Sequence, residues 1–256
     1  MTERMGLVTA GRQDGRSAAL ARRAELRPAA RRLAAVAVGF AGGWAVLYGA
    51  LMPFGLGFVL GFAEDCFAPC AAGAALGMLL HGFGALSLRS VCMLCALGAA
   101  VAARWMGARK LAPAALAGCG TLVGMALCFA FGGEGTELVL YSAADALLAA
   151  AIGFCLRQFA PEKPGAGMLL VGTAAAAALG SVQLWQLQPG VIACAALELY
   201  LCSKAQLKAA LAASAVLGAA LCAADPALSF AAAGLACATA AAAVLAPGRR
   251  MEAAAA

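Results

Sequence analysis

Residues 33–63 read LAAVAVGFAGGWAVLYGALMPFGLGFVLGFA, about 31 residues without one charge, against about 7–15 for the apolar core of a signal peptide. The run is too long for a cleaved leader and long enough to enter a bilayer, whose hydrocarbon core takes about 20 apolar residues per helix. Pro53 lies inside it and lacks an amide proton, so a helix entering from Leu33 is expected to bend or end there. The rest of the chain repeats this character. Of 256 residues, 64% are hydrophobic and 12% charged, with mean hydropathy +0.91. Soluble domains carry roughly 25% charged residues. That balance excludes a disordered chain, a disulfide-stapled secreted domain and a nucleic-acid binder. It predicts an all-α, polytopic integral membrane bundle in the cell membrane, with the lipid bilayer as its first partner.

The charges punctuate the apolar runs. Arg4, Arg12, Arg16, Arg22, Arg23, Arg27, Arg31 and Arg32 define a basic tail over residues 1–32. Ala18–Arg32 has the composition of a basic interfacial helix, though a positive-inside topology signal explains the same residues. Further basic clusters are Arg104/Arg109/Lys110, Arg157/Lys163, Lys204/Lys208 and Arg249/Arg250; acidic ones are Glu64/Asp65 and Glu134/Glu137, with Asp225 alone. If basic loops stay inside, Leu33–Ala63 runs outward and Cys66–Leu88 returns. Leu111–Gly133 and Leu138–Leu156 form the next pair, then Ala166–Val182 and Val191–Cys202, turning at Gln183 to Gly190. Ala209–Ala224 and Ala227–Gly248 close the path. The expectation is eight crossings over residues 33–248, a short tail over 249–256, and both termini cytoplasmic. Ser90–Ala103 does not fit: about 14 residues make a helix of ~21 Å, short of a ~30 Å core. It is left as a short span or a re-entrant piece.

Glycines four apart, Gly39/Gly43, Gly57/Gly61, Gly73/Gly77 and Gly120/Gly124, are candidate close-packing faces within the bundle or between copies. Three ionisable residues fall inside spans, where charge is costly: Asp145, Glu198 and His81. They are candidates for an intramembrane polar site or for internally paired structural groups, with His81 a candidate partner of Asp145. Eleven cysteines include Cys92-x-x-Cys95 and the pair Cys66/Cys70. Scattered among small apolar residues, they read first as packing groups and second as a membrane thiol couple. No phosphate-cradling loop, nucleophile elbow or zinc-ligand constellation is present in the sequence, and no cofactor or metal is expected.

Several stretches together resemble the N-terminal membrane region of the stage II sporulation protein E family. They are Val38-Gly39-Phe40-Ala41-Gly42-Gly43, Leu51-Met52-Pro53-Phe54-Gly55-Leu56-Gly57-Phe58, Gly73-Ala74-Ala75-Leu76-Gly77, Tyr141–Phe154 around Asp145, and Gly218–Arg250. The similarity runs from about Leu33 onward and is one of pattern rather than of a single motif. It implies about ten membrane helices that place a metal-dependent serine phosphatase at the division septum, beside cell-division proteins. By the eight-span path this chain lacks the last helices, the linker and the phosphatase. It is then expected to be a fragment, an early-terminated product or a stand-alone paralogue, with no catalytic residues to carry over. The expected role is a non-catalytic anchoring and localisation module. The alternatives are a small-molecule carrier, such as the vitamin-binding subunit of an energy-coupling transporter, and third a membrane thiol oxidoreductase.

Overall fold

A computed structural model of the chain describes residues 28–62, 64–81, 88–106, 113–130, 136–158, 164–182, 188–203 and 207–245. The described residues are all-α, with ten helices and no strand. They are α1 (28–44), α2 (Pro53–Gly61), α3 (Glu64–His81), α4 (Leu88–Trp105), α5 (Pro113–Ala130), α6 (Thr136–Gln158), α7 (Pro164–Gly180), α8 (Pro189–Ser203), α9 (Leu207–Ala224) and α10 (Ser229–Leu245). Most of the N-terminal tail, the tail 249–256 and the turn residues Gln183 and Gln186 lie outside the described residues.

The quoted run is not one span. α1 ends at residue 44, and a compact loop, 45–52, turns the chain back. Leu47 and Leu51 exchange backbone hydrogen bonds of 2.8 and 2.9 Å across it. Tyr48 (φ 52°) and Gly49 (φ 64°) lie in the left-handed region that allows so tight a reversal. Pro53 then occupies the first turn of α2, where its missing N–H costs nothing. α2 is nine residues long, and Pro53 through Leu60 are buried on all sides.

Glycine contacts fix the directions of the helices. A Cβ on Gly39 or Gly43 would strike the carbonyl of Cys70 or Ala74, and one on Gly73 or Gly77 the carbonyl of Val36 or Phe40. Residue numbers rise together, so α1 and α3 run parallel at backbone contact. α2 fills the return between them, with Gly55 beside Gly43 and Met78. Gly57 meets Ile152 and Gly61 meets Leu156, so α2 runs parallel to α6; Gly120 packs on Ala96 and Gly124 on Cys92, pairing α4 and α5 antiparallel. All four glycine pairs are therefore engaged in contacts within the chain.

α7–α10 form a second group of helices around Leu217, Leu221 and Leu228, joined to the first through Ala174, Ala177 and Ala178 of α7. The Tyr48 N–H also donates to the Ala223 carbonyl near the end of α9, which ties the 45–52 loop to this group. The starts of α1, α3, α5, α7 and α9 thus share one end of the molecule. Arg31, Arg32, Arg104, Arg157 and Lys208 lie toward that end. Glu64 and Asp65 lie there too, at the start of α3, and not at the opposite end that a single crossing of 33–63 would give. The reason is the folded-back α2. Ser90–Ala103 is part of the 18-residue α4, which returns Arg104 to the basic end.

Among the described residues two helices, Pro113–Ala130 and Thr136–Arg157, are long and apolar enough to cross a membrane. Asp65–His81, Met168–Gly180, Pro189–Cys202, Ala210–Ala224 and Pro226–Ala241 are apolar but shorter.

Candidate functional site

A helix as short as α2 leaves orphan N–H groups at its start and orphan carbonyls at its end, and burial denies them water. Three long-range side chains supply the partners. At the N-terminus, Asp145 of α6 accepts the Met52 N–H at Oδ1 (2.8 Å). Its Oδ2 faces Arg89 of α4 at 3.3 Å. Asp145 is 1% exposed and Arg89 22%. The Arg89 guanidinium also covers the Tyr141 ring, 4.4 Å from its centroid, one turn before Asp145. At the C-terminus, Arg104 donates to the carbonyls of Val59 (3.1 Å) and Phe62 (2.8 Å), while its guanidinium lies 4.3 Å from the Phe67 centroid. Arg157 Nε donates to the Leu60 carbonyl at 3.0 Å.

The signs follow the helix dipole, a carboxylate at the positive end and two guanidinium groups at the negative end. Each such interaction contributes about 0.3–1 kcal/mol when exposed and up to ~2 when partly buried. The larger effect is avoidance: an unsatisfied buried backbone group costs about 1–3 kcal/mol. α2 is therefore clamped at its ends by α4 and α6, while α6, α3 and α1 close over its apolar faces.

The three candidate residues from sequence do not converge. Asp145 belongs to the α2 clamp. His81, at the end of α3, meets the Trp44 ring edge-on at 5.7 Å. The expected Asp145–His81 pair is thus replaced by Asp145–Arg89, because the fold-back places the start of α4 beside α6. Glu198 lies on α8 in the other helical group, where its Oε2 takes a hydrogen bond from Thr239 of α10 at 3.0 Å. The sequence reading missed Arg89, and Arg104 and Arg157 entered it only as members of basic clusters. Pro53 held the clue to the clamp: a helix restarting in an apolar run exposes amides that some acceptor must meet.

Cys92 is buried, with its sulfur 3.7 Å from Ser142 Oγ on α6, and the described cysteines form no disulfide. Among the described residues no three His, Cys, Asp or Glu side chains gather to hold a metal ion. No family model, curated protein or solved structure matches this chain.

Proposed function

We propose that the chain is a multi-pass membrane module that anchors and positions, with no chemistry of its own. In this reading nine helices cross the cell membrane and α2 is folded back among them. Large apolar side chains on the outer surface carry the membrane part of the reading. Leu122, Leu140, Leu147, Leu199 and Phe230 are between 62% and 73% exposed, an arrangement that water penalises and lipid does not. The two long apolar helices are only 39% and 33% buried, unlike the enclosed core helix of a soluble protein.

Orientation then follows from charge. With α2 returning, the described basic residues Arg31, Arg32, Arg104, Arg157 and Lys208 fall on one side of the bundle. Glu137 and Asp225 fall on the other. The positive-inside rule makes the basic side cytoplasmic, together with both termini. This reading departs from the eight-span path in separating α2 from α1 and in taking α4 as a span.

The anchoring role rests on one observation: Asp145, Arg89, Arg104 and Arg157 are engaged by the backbone of α2 or by each other, and so stabilise a scaffold. A fluorescent fusion in an endospore-forming host tests the localisation. Enrichment at the asymmetric septum is expected, and an even distribution over the envelope would overturn it. The purified chain is expected to release no phosphate from a phosphoserine protein, with or without manganese. Phosphatase activity that co-purifies with the chain would overturn the non-catalytic reading.

A further inference from the structure

α8 and α10 run side by side, and between them lies a half-open groove of about 220 Å³ lined by Ala195, Glu198, Leu199, Cys202, Leu235, Ala238 and Thr239. The groove is small against the usual 300–1,000 Å³ of small-molecule pockets and is apolar apart from Glu198 and Thr239. Leu199 on its rim is 72% exposed, while Glu198 is 4% exposed.

Glu198 is not fully satisfied. Its Oε2 is held by the Thr239 hydroxyl, which also lies 2.8 Å from the Leu235 carbonyl one turn earlier. Its Oε1 is buried and has no hydrogen-bond partner in the described structure. This differs from Asp145, whose two oxygens both have partners. A buried carboxylate oxygen without a donor is costly, and an incoming cation or N–H donor removes that cost. Thr239 fixes the carboxylate from one side and leaves the other oxygen for the ligand.

We propose that this groove is a binding site for a small amphipathic amine, an apolar body carrying one protonated nitrogen that donates to Glu198 Oε1. The apolar walls select the body, and the single acceptor selects the charge. The lining offers no cationic or N–H partner for a phosphate, so the recognised group is the ammonium alone, whether on a free amine or at the head of a lipid. The site is independent of the septal reading, since nothing in it depends on where the protein is placed.

The probe is 2-phenylethylammonium, with 2-phenylethanol as its neutral counterpart, titrated against the full chain in phosphatidylcholine nanodiscs. Saturable one-to-one binding of the amine is expected, at least ten-fold tighter than that of the alcohol. Glu198→Gln is expected to remove that preference. Ala238→Phe, which fills the groove and leaves the carboxylate, is expected to abolish binding of both. Both variants are checked for monodispersity, and if one misfolds the other decides. Loss of amine binding in discs containing phosphatidylethanolamine would keep the site and identify a lipid ammonium as its occupant. Partition without saturation overturns the proposal, as does equal affinity for amine and alcohol or amine binding that survives both variants. Cross-linking through Cys202 that shows the groove covered by a second copy also overturns it.

Discussion

Asp145 holds two unlike groups at once, a main-chain amide and a guanidinium, and replacing it separates their contributions. Asp145→Leu strands the Met52 N–H and leaves Arg89 without its anion. Breaking a buried pair from one side costs about 3–5 kcal/mol, and the partial exposure of Arg89 puts this case at the lower end. Asp145→Asn keeps an acceptor for Met52 and loses the charge, for about 1–3 kcal/mol. Thermal unfolding in detergent should therefore rank wild type above Asn and Asn above Leu. If Leu melts at the wild-type temperature, the clamp contributes nothing to stability. Arg104→Met should also destabilise, because the Val59 and Phe62 carbonyls lose a donor and Phe67 loses its cation. Arg104→Lys should recover part of that loss, since one ammonium cannot reproduce the fork that meets two carbonyls. At this scale the sequence was legible in part. Asp145 and Glu198 stand out as charges in apolar runs, but Arg89 and Thr239 gain their roles only through neighbours more than forty residues away. No local pattern encodes such a meeting.

Helices here approach through glycine, and the approach is selective. Gly39, Gly43, Gly73 and Gly77 face carbonyls of the opposite helix where a methyl group has no room. Gly98 in α4 and Gly118 in α5 have open space where their Cβ would be. Gly39→Ala and Gly73→Ala must push α1 and α3 apart, and overpacking of this kind costs about 1–3 kcal/mol. Gly98→Ala should be neutral or stabilising by up to ~1 kcal/mol, because alanine loses less entropy than glycine in a helix. Melting temperatures of the three variants check this; equal effects would mean that the α1–α3 contact is not close. The spacing of four picks out these pairs as candidate packing faces, but spacing cannot say whether the partner belongs to the same chain. The same ambiguity holds for Cys92 and Cys95. Cys92 packs against Ser142 on another helix, so changing both cysteines to alanine should leave folding intact. Trapping with a thiol-blocking reagent should find no disulfide between them.

Across the whole molecule, the all-α class follows from composition and long apolar runs, and the sequence conveyed it plainly. The path was harder to read. Residues 33–63 are uniformly apolar, so hydropathy cannot distinguish one long helix from two short ones packed in opposite directions. Only Pro53 and the Tyr48-Gly49 step mark the reversal. Merging them shifted Glu64 and Asp65 to the wrong end and made Ser90–Ala103 look too short to place. Once α2 folds back, the side of the membrane that residue 65 faces becomes the most direct test of the account. The measurement is labelling of Asp65→Cys, in a background with the native cysteines replaced, by a membrane-impermeant maleimide on right-side-out and inverted membrane vesicles. Cysteines placed at Arg109 and Glu134 serve as references for the two faces. The account predicts that residue 65 reacts only in inverted vesicles, together with residue 109 and opposite to residue 134. Labelling of residue 65 in right-side-out vesicles together with residue 134 would mean that 33–63 crosses once, contradicting the folded-back α2.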